Sequence, residues 1–126
     1  MKNIFKILLL VVIGLLINAC YYDAYPEVIE DIPDIPDDQE ISFKNEIQPL
    51  FEFCIGCHNG SRNPDLREEN AYISLVPNYV IAGDAEGSQF YQYLPGNGSH
   101  PEVGKTLTNA EIALIKAWIN QGAKDN

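Results

Sequence analysis

Hydrophobic and polar positions divide the chain into three regimes. Between Ile7 and Ile17 every residue is apolar or glycine, behind an amino-terminal stretch that carries Lys2 and Lys6. An apolar run this short cannot cross a bilayer, which takes about 20 residues, but it has the length and basic flank of a secretory signal core. Residues 1–19 are therefore expected to be a leader. Over 20–40 the pattern is lost, and from residue 41 onward helical periodicity sets in.

In this third stretch Ile47, Leu50, Phe51 and Cys54 fall at i, i+3, i+4 and i+7, which is one face of a helix. Ser42 is its candidate N-cap, and Pro49 either kinks it or opens a second piece as a first-turn residue. At the far end, Thr108-Asn109-Ala110-Glu111 spells a capping box and Gly122 a stop, so a helix over 108–121 is predicted. Ile112, Ile115 and Ile119 form its buried stripe, broadened by Ala113, Leu114 and Trp118, while Glu111, Lys116 and Asn120 face water. Between them, 66–75 and 86–94 read as two short helices separated by Pro77, Gly83 and Asp84. Tyr79, Val80 and Ile81 leave open a short strand over 76–82. The segment 94–105, with three Gly and two Pro, is a loop. The fold class is all-α.

Charge sharpens this division. Eight Lys and Arg against 18 Asp and Glu give a net charge of −10, and no basic stripe exists to follow a phosphate backbone, which argues against nucleic acid. Much of the excess lies in 20–40, with eight acidic residues, no basic one, and Pro26, Pro33 and Pro36. Self-repulsion and repeated proline predict a disordered tether, with a reach of roughly 25 Å as a coil. The remainder, 41–126, has six basic and ten acidic residues and makes one domain. A domain of this size usually needs a metal, disulfide or cofactor to hold it.

The chemistry is concentrated at Cys54-Ile55-Gly56-Cys57-His58. This is CxxCH, the attachment signal for a c-type haem. Two thiols three residues apart on one helical turn can reach the two vinyl groups on one porphyrin edge, and the adjoining imidazole is then held under the iron. Three other uses of these residues exist. A thioredoxin-like redox pair needs a βαβ setting that the pattern lacks. A zinc site from Cys54, Cys57, His58 and His100 would take two ligands from adjacent positions, whereas zinc signatures space them apart. A disulfide across the motif leaves His58 without a purpose.

Cys20 is the remaining thiol. Leu16-Ile17-Asn18-Ala19-Cys20, directly after the apolar run, resembles the lipobox of bacterial lipoproteins, which implies that Cys20 becomes the acylated first residue of the mature chain. A lipid on Cys20 would attach the protein to a membrane and leave Cys54 and Cys57 for one haem.

The order of Ile47-Gln48-Pro49-Leu50-Phe51, then CxxCH, an irregular middle, and a final helix through Leu107-Thr108, Glu111-Ile112, Ile115-Lys116, Ile119 and Gly122-Ala123 resembles the monohaem class I cytochrome c superfamily. More narrowly, it is similar to lipoprotein and planctomycete-type cytochrome c domains of bacteria. The resemblance implies an all-helical domain wrapped around one covalent haem c, with thioethers at Cys54 and Cys57 and His58 as the proximal iron ligand. Trp118 and the isoleucine stripe are expected to pack on the first helix and the haem edge. One departure stands out. The family's distal ligand is a Met before the last helix, and this chain's one Met is Met1. By elimination and position, His100 is the expected sixth ligand, with Lys105 or an open iron as the other options. The chain then reads as a single-electron carrier rather than an enzyme, lipid-anchored in the cell envelope, facing periplasm or exterior and serving redox partner proteins there. The alternatives are a haem-based ligand binder or sensor with an exchangeable sixth site, and a haem-free zinc or structural lipoprotein.

Overall fold

The computed structural model describes residues 32–36, 38–98, 100–101 and 104–126, together with Ile4 and Lys6. The rest of the expected leader, Cys20 and the acidic segment through Asp31 lie outside the described residues.

Five short helical elements carry the described chain: α1 (Phe43–Ile47), α2 (Gln48–Phe51), α3 (Ala71–Leu75), α4 (Gln89–Gln92) and α5 (Asn109–Asn120). The continuous first helix expected from periodicity is two different turns, a π turn in α1 and a 3₁₀ turn in α2. Pro49 explains the change of register. It has no N–H to donate to the preceding turn, so the chain restarts with Pro49 in the first turn of α2. Ser42 caps α1 as the sequence indicates, its hydroxyl accepting from the Asn45 amide at 3.3 Å. Glu46 closes the turn by accepting from the Ser42 amide at 2.8 Å. The buried stripe is retained, with Ile47 and Phe51 buried and Leu50 and Cys54 packed against them.

α5 agrees with its sequence signals. Thr108 and Glu111 form the capping box, and Gly122 follows the helix at φ +104°, a left-handed stop that glycine adopts without strain. Ile112, Ala113, Ile115, Trp118 and Ile119 are buried. Trp118 stacks on Phe43 of α1 at 5.0 Å between ring centroids, and Phe43 in turn meets Tyr72 edge-on at 5.4 Å. The ends of the domain are tied together by Ser42 Oγ donating to the Asn126 carbonyl at 2.8 Å and the Phe43 amide to Asn126 Oδ1 at 2.9 Å.

The middle of the chain departs from the reading. The helix expected over 66–75 begins only at Ala71, because the Asp65 carboxylate takes the Arg67 amide and the Asn70 side chain and holds the preceding residues as a turn. The one expected over 86–94 shrinks to Gln89–Gln92, since Asp84 accepts from the Gly87 amide and from the Ser88 hydroxyl through its carbonyl. No strand forms among the described residues. Instead Ile81 and Asp84 make an isolated antiparallel bridge that closes a turn over Gly83.

The structured part also starts before Ile41. Ile32 and Ile35, assigned to the tether by composition, pack against the core. Pro33, Ile35 and Pro36 form one wall of a groove whose other wall is Ala113, Lys116, Ala117 and Asn120 of α5. Gln121 fastens this strap, donating to the Gln39 carbonyl at 2.8 Å and accepting the Ile41 amide at 2.9 Å.

Candidate cofactor site at the CxxCH turn

After α2 the chain continues in tight turns. The Cys54 amide donates to the Phe51 carbonyl at 2.7 Å, the Cys57 amide to Cys54 at 3.1 Å and the His58 amide to Cys54 at 2.8 Å. Cys54, Cys57 and His58 are thereby turned toward one cavity of about 380 Å³, half-closed by the apolar side chains of Leu50, Phe51, Leu66, Phe90, Leu94 and Leu107. His100 lies on the same cavity, so the four residues singled out in the sequence are brought together. Lys105 is not on its wall: its ammonium sits 4.2 Å over the Phe53 ring and 3.8 Å from Glu111. Trp118 is not there either. It is buried on the Phe43 side, and among the described residues none of α5 lines the cavity.

The two imidazoles are held alike. His58 Nδ1 lies 3.0 Å from the Pro64 carbonyl and His100 Nδ1 2.8 Å from the Pro101 carbonyl. A carbonyl can only accept, so in each neutral ring Nδ1 carries the proton and Nε2 keeps its lone pair. The ring centroids are 6.1 Å apart. His100 is delivered by a loop that needs glycine. Gly96 stands at φ +98°, and a side chain on Gly98 would collide with the Gln92 carbonyl.

Burial pushes the Cys54 thiol above its ordinary range, with the Lys105 cation opposing and Cys57 adding to the rise, so it is a neutral thiol at pH 7. Arg62 is the one Lys or Arg on the cavity wall, which carries no carboxylate among the described residues. Two thiols, two ring nitrogens with available lone pairs, apolar walls and one cation suit haem c, whose porphyrin is apolar and whose two propionates are anionic. The other uses of the motif do not fit as well. Cys54 and Cys57 form no disulfide with each other, and among the described residues no strand supplies a thioredoxin setting and no three His, Cys, Asp or Glu gather closely enough to hold a metal ion between them.

Sequence reasoning missed several wall residues. Tyr79, Phe90 and Tyr93 reach the cavity from the irregular middle. The Phe90 to Leu94 spacing, one helical turn, was the available signal for one apolar face there. The Pro64 carbonyl, a backbone group, left no signal.

Over 79 residues the chain is 30% identical to cytochrome c6 of Picosynechococcus sp., an alignment that takes in 58% of this chain and 67% of that protein. No protein-family model matches the chain, and no solved structure matches it.

Proposed function

The chain belongs to the c-type cytochrome family, and from that premise we propose a lipid-anchored, extracytoplasmic carrier of single electrons whose iron is held between His58 and His100. As a monohaem c-type cytochrome it binds haem c covalently, and the bound group supplies an iron that alternates between two oxidation states. Cys54 and Cys57 are the residues to form the thioethers. His58 would offer Nε2 to the iron, and its Nδ1 proton on the Pro64 carbonyl fixes the tautomer and raises the basicity of the ring.

The observation that carries the reading is the pair of imidazoles. Their ring centroids stand 6.1 Å apart on the wall of one cavity, near enough that both could serve one bound group. His100 thus supplies what the missing methionine does not, while Lys105 is engaged with Phe53 and Glu111. Lys105 would also have to lose a proton from a reference pKa near 10.4 before it could bind. Bis-histidine ligation places the potential below that of histidine–methionine carriers. Electrons would pass at the cavity mouth, where Phe53 and Tyr93 are exposed and can meet a redox partner of the cell envelope.

The anchoring proposal rests on the Leu16–Cys20 pattern alone, and among the described residues no helix is long and apolar enough to cross a membrane. Two or more acyl chains on Cys20 suffice for stable attachment, so Cys20→Ser should release the protein from membranes or leave it unprocessed. A mature-sized Cys20→Ser protein that stays with membranes refutes the anchor. For the iron, His100→Ala should turn a six-coordinate low-spin spectrum high-spin and admit carbon monoxide. An unchanged low-spin spectrum rejects His100, and carbon monoxide binding by the unaltered protein would favour a ligand-binding role.

A further inference from the structure

We infer that Gln48 is a positioning residue that sets the reduction potential by holding the segment that grips His58, an inference that rests on haem attachment at Cys54 and Cys57. The segment Pro64, Asp65, Leu66 holds the proximal histidine at two points. Pro64 accepts from the ring at 3.0 Å, and the Leu66 amide donates to the His58 carbonyl at 2.8 Å. Gln48, at the start of α2, reaches across to this segment and donates from Nε2 to the Leu66 carbonyl at 3.1 Å. Leu66 is itself buried and forms part of the cavity wall, so Gln48 acts directly behind the haem pocket.

The second observation is that this side chain does not improve the packing it sits in. Its Oε1 is buried with no hydrogen-bond partner among the described residues. A buried amide oxygen without a partner is destabilising, so for stability alone an apolar residue of similar size would serve as well or better. What Gln48 supplies that leucine or methionine lacks is the donor to Leu66. Without it the Pro64 to Leu66 segment loses its attachment to α2, and the hydrogen bond from His58 Nδ1 weakens. A weaker bond makes the imidazole a poorer donor to iron, which stabilises the oxidised state less and raises the potential.

The test uses the holoprotein with Gln48→Leu and Gln48→Met, both neutral and without a donor. Three quantities are read: melting temperature, midpoint potential, and solvent exchange of the His58 Nδ1 proton by NMR. The expected result is a melting temperature held or raised, a potential shifted upward, and a ring proton that exchanges several-fold faster. A folded variant with unmoved potential and exchange overturns the inference. Loss of fold in both variants overturns it too, because it would make Gln48 a packing residue. An alkaline pyridine spectrum of the same samples separates the two layers of the argument. Absence of covalent haem in the unaltered protein strikes the attachment reading, whereas an unmoved potential in a haem-bearing variant strikes Gln48 alone.

Discussion

Asp65 shows how far a single side chain can order the turn behind His58. Its carboxylate receives the Arg67 guanidinium as a fork, Nε at 3.0 Å and Nη2 at 2.6 Å, together with the Asn70 amide at 2.9 Å. The Arg67 side chain foremost, helped by the Arg67 amide and Asn70, holds the Asp65 carboxyl down to about 2 from an ordinary 3.8. A depressed carboxyl contributes its order above the unfolded value and loses it as pH falls through the folded one. The turn that carries Pro64 and Leu66 should therefore be intact above 3.8 and loosen on the way down to about 2. Exchange of the His58 ring proton should speed up across that window, and Asp65→Ala should abolish the step and show the faster rate at all pH values. Of this arrangement only part was readable beforehand. That Cys54, Cys57 and His58 share one cavity wall was within reach of the sequence, because an attachment motif demands adjacency. The carbonyls of Pro64 and Pro101 and the Asp65 fork act through backbone positions and turns that no residue pattern encodes.

At the scale of elements, legibility follows how much of an element's stability is local. α5 carries its own capping box, its own stop and a full apolar stripe, so its bounds could be read directly. α3 and α4 are four or five residues long, too short to stand without tertiary support, and side chains outside them set where they begin. Thr108→Ala should remove the cap of α5 and cost about 1 kcal/mol, which for a domain of this size lowers the melting temperature by about 4–8 °C. The Thr108 amide and hydroxyl draw the Glu111 carboxyl below its usual range, so this part of the helix's stability is present at neutral pH and lost in acid. The same substitution should accordingly cost less in acid than at neutral pH, as thermal denaturation at both would show. The strap makes the complementary point. Composition placed Ile32 and Ile35 in a disordered tether, and mean polarity is the wrong guide there, because two isoleucines at the right spacing suffice to seat proline-rich chain on a helix. Ile35→Asp should lose about 1 kcal/mol of apolar burial. Limited proteolysis should then cut between residues 32 and 40 while the haem spectrum stays unchanged.

For the whole molecule, the cavity links the core to the cofactor. Phe51, Leu66 and Leu94 belong to the continuous core and are also walls of the 380 Å³ space, so haem held there would extend the packing of one side of the core. In a variant that cannot take up haem, apolar space of this kind would be destabilising in proportion to its volume, and the short α3 and α4 and the turns between them add little cohesion of their own. The contacts that do not involve the cavity are concentrated elsewhere, in α1 against α5, Phe43 on Trp118, and the ties from Ser42 and Phe43 to Asn126. The Cys54→Ala/Cys57→Ala double variant, which cannot attach haem, should therefore keep the α1–α5 corner and lose the middle. Far-UV circular dichroism should retain the signal of α5, while amides over 66–94 exchange rapidly and calorimetry shows no sharp transition. A sharp transition in the haem-free variant at the temperature of the intact protein would mean that the cavity is not part of the core.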